Sequence, residues 1–472
     1  EVDEGWLCDK GRFAYPHLYA HDRIVDPLER VQQRGFTELS WDDALDRAET
    51  LLRGAQGRIV TALSGSETVE QAYALGKLLR QGLGAHSAVL PEAVSHALDS
   101  FLAPLSSIAA AEIVVVIGDE QVADRAPIVD LWIRQARRNG AEVVRVPEVK
   151  LGRKLEERVS SSDRAVLIWS GRAGGGGARL AELGHRLGLD AKPGCGAFHL
   201  PSTPNARGVA DAWAACSDED EENPEPIGLL IVSGDEAAAD PAVRALAEQA
   251  ERVIAITMFQ GLALGWADLV LPGTSYLERD GSFVNLEGRV QRLRRAVIPP
   301  VPDELAWIAK LAERFDVVVS PHAALVFEEL SERCFGGTPF GAVGERAPLP
   351  ERTPYVAPEP APAAPIPPAA PEPPEHFLGT LRLQRYRPLF SGPAVERVPE
   401  LQFQRPRAEI ELAYDDAQRR QIATGDEVSV RSNGTSLSLR ARVSRALAAG
   451  TARVADEHAG ELHRDVEVVK VP

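Results

Sequence analysis

One alternation limits what this chain can fold into more than any other feature. Short, near-continuous apolar runs are each followed by a stretch whose apolar residues recur at helical spacing. Residues 58–63 (RIVTAL) precede residues 66–83, where Val69, Ala72, Tyr73, Gly76, Leu79 and Leu83 fall on one helical face. Residues 112–117 (EIVVVI) lead through Gly118 and Asp119 to a helix near residues 127–139 and then to a strand at 142–146. Pro127 suits a first helical turn and Gly140 a helix stop. Residues 165–169 (AVLIW) open a helix at 178–187, and residues 227–233, 240–251 and 252–257 repeat the pattern. Apolar strands alternating with helices specify an α/β protein with doubly wound parallel sheets, covered on both faces.

Two segments break the alternation. Residues 218–222 (DEDEE) read as a solvated acidic loop. Residues 348–374 hold 12 of the 35 prolines, mixed with Ala and Glu, which specifies an extended linker. Beyond it the period changes. Residues 427–431 (EVSVR) and 436–443 (SLSLRARV) alternate apolar and polar side chains around Asn433-Gly434, a hairpin turn signal. The expected division is 1–50 as a lead-in, 51–160 as a first α/β domain, 161–345 as a second α/β domain with a return to the first, 346–376 as linker and 377–472 as a β-barrel.

Charge and cysteine usage exclude several functions. Fifty-two Lys and Arg against 69 Asp and Glu leave a net charge of −17, unsuited to a general nucleic-acid binder. Cys8, Cys195, Cys216 and Cys334 are too scattered for a disulfide framework and contain no C-x-x-C pair, so this chain by itself holds no complete zinc or iron–sulfur ligand set. No apolar run approaches the ~18 residues of a membrane span, so a membrane link is expected only through a partner. Met258 is the only methionine and the chain opens on Glu1, which reads as a processed or cut form of a longer polypeptide.

Few residues stand out for chemistry. Cys8 is followed by Lys10, Gly11 and Arg12, whose positive charge favours a thiolate. The loop 171–177 follows a strand but matches neither a dinucleotide fingerprint nor a P-loop and reads as a flexible connection. Asp119-Glu120 and Asp235-Glu236 follow strands, where carboxylates serve as helix N-terminal acids or ribose ligands. His17 and His21 are four apart without a metal-spaced acidic partner. No catalytic constellation is complete.

Several segments nonetheless resemble one family in the same order. Residues 5–13 (GWLCDKGRF) resemble the last cluster cysteine and its Lys-Gly-Arg-Phe tail in the large iron–sulfur subunit of bacterial NADH-quinone oxidoreductase (respiratory complex I). Residues 115–140 resemble the strand, acidic turn and helix of its C-terminal molybdopterin-oxidoreductase-like portion, and residues 205–208 its Asn-x-x-Gly segment. Residues 267–291 (ADLVLPGTSYLERDGSFVNLEGRVQ) match the superfamily pattern at Ala267, Asp268, Val270, Leu271, Pro272, Glu278, Gly281, Asn285, Glu287, Arg289 and Gln291. The barrel segment resembles a molybdopterin-dinucleotide-binding double-psi β-barrel.

The resemblance implies a fold, a cofactor and a setting. It makes residues 1–50 the end of an iron–sulfur subdomain and its lead-in. Cys8 is the implied fourth ligand of a [4Fe–4S] cluster whose other ligands lie upstream, with Lys10 and Arg12 beside it. Gly118, Asp119, Asp268, Glu278, Gly281, Asn285 and Arg289 are the implied remains of a cofactor site. In catalytic relatives such as formate dehydrogenase a Cys or selenocysteine ligates molybdenum, but residues 85–99 (AHSAVLPEAVSHALD) contain no Cys. The expected role is a scaffold and electron-transfer subunit without molybdenum, in the peripheral arm of a proton-translocating NADH:quinone oxidoreductase. That arm contacts other subunits on the cytoplasmic side of the bacterial plasma membrane. A catalytic molybdopterin oxidoreductase is the alternative.

Overall fold

The computed structural model describes all residues except 1–6, 32–34, 93, 119, 148, 172–175, 218–223, 225, 345–346, 358–378, 433 and 472. The acidic run 218–222, most of the Pro-rich linker, the Gly-rich residues 172–175, Asp119 and Asn433 therefore lie outside the described residues.

In chain order, β1 (Leu28–Val31), β2 (Gly35–Glu38), β3 (Ile59–Leu63) and β4 (Ala88–Val89) begin one sheet. The chain then leaves to build a second, four-stranded sheet from β5 (Ile113–Ile117), β6 (Glu142–Val146), β7 (Ala165–Trp169) and β8 (Gly196–His199), in the order β6-β5-β7-β8. It returns with β9 (Leu229–Ser233), β10 (Arg252–Thr257) and β11 (Leu269–Pro272), which complete the first sheet as β2-β1-β11-β10-β9-β3-β4. A hairpin, β12 (Gly281–Val284) with β13 (Val290–Leu293), follows.

The chain returns to the first sheet within 161–345 as expected, but the boundary at residue 160 is not where the sheets divide. Strands on both sides of that position share the second sheet, and β9 pairs in parallel with β3, Leu229 lying opposite Ile59. Apolar runs reveal where strands are but not which strands pair. The helix expected over 66–83 is also interrupted: Thr68 caps Val69–Gly76, and a π-helical turn, Lys77–Gly82, follows.

Both sheets are covered on two faces. The first face of the larger sheet packs Leu45, Leu52, Val69, Leu78, Leu305, Ile308 and Phe327. The opposite face packs Val60, Leu230, Val232, Val243 and Ala247. In the smaller sheet Val115 and Leu167 point one way, Val114 and Ile168 the other, and all four are fully buried. Burial of each such side chain contributes about 1.5–3 kcal/mol, which is why strands buried on both faces read as unbroken apolar runs.

Beyond the linker, β14 (Thr380–Tyr386), β15 (Glu409–Ala413), β16 (Glu427–Ser432), β17 (Thr435–Ser444), β18 (Thr451–Ala455) and β19 (Asp465–Lys470) close into a barrel. Its order is β14-β18-β15-β17-β16-β19, with β14–β18 and β15–β17 parallel. The expected hairpin is β16 with β17, and its alternation puts Val428 and Val430 in the barrel core and Glu427 and Arg431 outside. Arg453 of the barrel pairs with Asp124 of the second α/β layer and stacks over Tyr386 at 3.5 Å. Arg397, ahead of β15, grips Asp22 with Nε and Nη2 and lies 4.0 Å from the Phe259 ring.

Candidate functional site

The smaller sheet is parallel and the larger one is parallel from β11 to β4, with β1 and β2 added antiparallel at one edge. Within each parallel run strand order reverses once, and loops at the carboxyl ends of the two flanking strands form a crevice there. In the larger sheet it lies between β3 and β9. Ser64, Gly65 and Ser66 follow β3, and Gly234, Asp235 and Glu236 follow β9. The two loops touch. Gly234 has φ +93°, and a Cβ there would lie 2.6 Å from Ser64 Oγ, so only glycine fits this backbone.

Strand-end N–H groups are the usual cradle for an anionic cofactor. In this chain, internal carboxylates occupy those donors. Ser64 N and Gly65 N donate to Glu67 at 3.0 and 2.8 Å, and Ser64 Oγ donates to it at 2.8 Å. Met258 N and Phe259 N, after β10, donate to Asp235 at 2.8 and 3.3 Å. After β11, Thr274 N donates to Glu304 at 2.7 Å and Ser275 N to Glu278 at 2.9 Å. Glu67, Glu278 and Glu304 are buried. Burial, then the neighbouring Glu236 carboxylate, pushes Asp235 up to about 7. An anion entering this crevice would have to displace these carboxylates from the N–H groups they occupy.

The amino-terminal segment reaches the same edge. Cys8 is exposed and immediately precedes the short helix Asp9–Phe13. Burial holds the Lys10 ammonium below its ordinary value, and Arg387, just after β14, adds to this, while Glu236 and Cys8 act in the opposite direction. Lys10 thus sits among groups from the first, β9 and barrel segments. Arg12 is exposed and its N–H donates to the Cys8 carbonyl at 3.0 Å. His17 is buried and bridges the Ala14 carbonyl (2.6 Å) and Ser275 Oγ (2.9 Å). Among the described residues no group of three His, Cys, Asp or Glu side chains is arranged to hold a metal ion, so Cys8 offers a single sulfur donor.

The remaining sequence-chosen residues are placed elsewhere or are fully engaged. Asp268 accepts from Val253 N at 2.8 Å and ties β11 to β10. Glu278 pairs with Arg23 at 2.7 Å. Gly281 leaves room for Glu70, whose Oε2 would lie 2.5 Å from a Cβ and which accepts from Ser282 N and Oγ at 2.8 Å. Asn285 Oδ1 accepts from the N–H of Glu287 (2.9 Å) and of Arg289 (3.0 Å), shaping the β12–β13 turn. Arg289 pairs with buried Glu287 and donates to the Ala347 carbonyl at 2.7 Å. These five hold the hairpin and strand ends together.

Gly118 belongs to the other reversal, between β5 and β7 of the smaller sheet. A Cβ there would lie 2.2 Å from the Ser170 carbonyl. Gly118 lines a cavity of about 570 Å³ with Lys150, Trp169, Arg179, Arg186 and Arg382. Its four cationic side chains outnumber the one carboxylate on its wall, Glu182, although Arg186 is paired with Glu156 at 2.7 Å.

In the region lacking the molybdenum cysteine, Ser87 is buried and Ser95 half-buried. His96 pairs with Asp211 at 3.0 Å and Asp99 at 3.6 Å, which raises it to about 9. Sequence reasoning passes over Glu67 and Glu70 and assigns His17 no role. Glu67 had one signal, a carboxylate three residues after the Ser that ends a strand; the other two depend on contacts more than 200 residues away.

Two family models match the chain. The molybdopterin oxidoreductase model covers residues 23–157 and 213–307, and the molybdopterin dinucleotide binding domain model covers residues 386–468. The NADH-quinone oxidoreductase subunit lettered G of Mycobacterium bovis is 28% identical over 380 residues, 63% of this chain and 46% of the relative, so the match spans about half the relative's length. The F420-dependent formate dehydrogenase subunit alpha of Methanocaldococcus jannaschii is 22% identical over 440 residues, 66% of this chain and 65% of the relative. Among solved structures, acetylene hydratase from Pelobacter acetylenicus covers 95% of this chain and 87% of its own, with TM-score 0.57 and 13% identity, a likeness of fold.

Proposed function

Because the chain belongs to the molybdopterin oxidoreductase family and is similar in sequence to a subunit of NADH-quinone oxidoreductase, we propose that it forms part of the large iron–sulfur subunit of a proton-translocating NADH:quinone oxidoreductase. In this reading its α/β layers and barrel are a scaffold for electron transfer from NADH to quinone, without molybdenum. Cys8 supplies one ligand of a [4Fe–4S] cluster, with Lys10 and Arg12 as nearby positive charge. The other ligands come from outside the described residues. Its partners are the other subunits of the peripheral arm, on the cytoplasmic side of the plasma membrane. No helix among the described residues is long and apolar enough to cross a membrane.

The observation that carries this reading is Glu67. A carboxylate seated on the Ser64 and Gly65 N–H groups takes up donors at a strand end that would otherwise be open to an anionic cofactor. Residues 85–99 also lack the Cys or selenocysteine that ligates molybdenum in catalytic relatives such as formate dehydrogenase, and only Ser87 and Ser95 could stand in for it. The alternative, a catalytic molybdopterin oxidoreductase, draws support from the formate dehydrogenase relative.

Metal analysis of the protein purified in its native complex separates the two. Iron without stoichiometric molybdenum or tungsten is expected, and stoichiometric molybdenum or tungsten overturns the scaffold reading. Cys8→Ala should remove one [4Fe–4S] signal from the reduced electron paramagnetic resonance spectrum. An unchanged spectrum removes the ligand assignment.

A further inference from the structure

The helix that follows Cys8 cannot hold itself in place. Asp9–Phe13 is five residues long and contains no buried residue, while an isolated helix needs about 12–15 residues to persist in water. Leu7 and Phe13 on either side of the Cys8 turn are exposed. The position of the Cys8 sulfur must therefore be set from beyond the helix.

Gln404 Nε2 donates to Asp9 Oδ2 at 2.7 Å beside the cysteine, and two further contacts hold the far side of the turn. Ala14 packs among Val395, Val398 and Leu401. His17, 2% exposed, is held on all sides: its ring stacks on Tyr276 with 6.2 Å between centroids and meets Phe259 edge-on at 6.4 Å. Nδ1–H donates to the Ala14 carbonyl at 2.6 Å, and the Ser275 hydroxyl donates to Nε2 at 2.9 Å. This polarity satisfies a neutral imidazole completely. It also leaves Ser275 Oγ free to accept from Leu277 N at 3.3 Å. Burial holds the imidazole below its ordinary value, in keeping with the neutral form.

The bonds continue to the cysteine. Ala14 N donates to the Lys10 carbonyl at 3.1 Å, and Arg12 N to the Cys8 carbonyl at 3.0 Å. A second fastening lies close by. Arg23 donates to the Leu18 carbonyl at 2.9 Å and to Glu278 at 2.7 Å, and Glu278 accepts from Ser275 N. The segment is clamped at His17 and at Arg23 onto one turn, the turn that follows β11.

We infer that His17 is a positioning residue for the Cys8 sulfur, tethering the ligand-bearing turn to Ser275 at the carboxyl end of β11. The ligand role of Cys8 rests on the function proposed above, but the tether is testable without metal. A nitroxide on Cys8 in this chain, in a Cys334→Ala background that leaves only buried Cys195 and Cys216, reads the mobility of the turn directly.

An immobilised spectrum is expected for the parent, and a mobile component for His17→Ala and for Ser275→Ala, with the overall melting transition retained in Ser275→Ala. His17→Gln, whose amide oxygen can take the Ser275 proton, should restore the immobilised spectrum. An immobilised label in both Ser275→Ala and His17→Ala overturns the inference. In the native complex, the Cys8-dependent cluster signal should shift in g values or midpoint potential in Ser275→Ala, and an unshifted signal overturns the positioning role. A cluster spectrum insensitive to Cys8→Ala overturns the proposed function, and the label distinguishes that result from failure of the tether.

Discussion

Glu67 holds Ser64 at two points, accepting its backbone N–H at 3.0 Å and its hydroxyl at 2.8 Å, and so closes the loop at the end of β3 with the chain's own negative charge. Glu67→Ala leaves the Ser64 and Gly65 N–H groups without their acceptor in a buried loop. A loss of about 2–4 kcal/mol is expected in urea unfolding. The emptied loop should also gain anion affinity, so added sulfate should raise the melting temperature of the variant more than that of the parent. Equal responses would show that the carboxylate is not seated on an anion-binding loop.

Glu70 is fully buried, and burial pushes it up to about 7 from an ordinary 4.5. Between those pH values the folded state binds more protons than the unfolded state, so this group lowers stability as pH rises from 4.5 to 7. The full penalty is about 3 kcal/mol. Glu70→Gln, which keeps an acceptor for Ser282 N, should remove that slope. Denaturant unfolding at several pH values checks it, and parallel curves for parent and variant would refute the assignment.

His96 gives the opposite sign. Hydrogen bonding to Asp211, then Asp99, raises it from 6.5 to about 9. Its contribution is complete below pH 6.5 and disappears as pH rises through 9. The stability gap between the parent and His96→Ala should therefore narrow over that interval. The gap should be small throughout, because the imidazole is largely exposed and Arg207 still grips Asp99 at 2.6 and 2.8 Å.

Arg453 joins the barrel to the α/β layers by pairing with Asp124, contacting Glu411 at 3.3 Å and stacking on Tyr386. Arg453→Ala is expected to cost about 2–3 kcal/mol, since it strands the half-buried Asp124 carboxylate and removes the stacking on Tyr386, while Glu411 keeps Arg442 at 3.0 Å. The barrel should then unfold at a lower urea concentration than the rest of the molecule. A single unchanged transition would show that the interface does not depend on this arginine.

How much of this was legible depended on whether the signal was local. The strands β3, β5, β7, β9 and β10 are apolar runs because both faces of a parallel sheet are covered, and the period-2 pattern of β16 and β17 follows from a barrel with one wet face. Those properties belong to neighbouring residues, so the α/β class, the closing barrel and the strands themselves could be read from the chain. The pairing of β9 with β3 could not, because it is set by packing across a long stretch of chain that builds another sheet in between.

The site divides in the same way. Cys8 with Lys10 and Arg12, and the run from Asp268 to Arg289, are distinctive as residue types at fixed spacing, and the sequence by itself determined their presence and the missing cysteine in 85–99. Only tertiary structure decided what they touch: Asp268 and Glu278 are spent on Val253 and Arg23, Glu67 on Ser64 and Gly65, and His17 reaches Ser275 across 258 positions. A hydrogen bond is short-ranged in space and indifferent to separation along the chain, so the partner that takes up a donor is known only once the backbone has brought the two together.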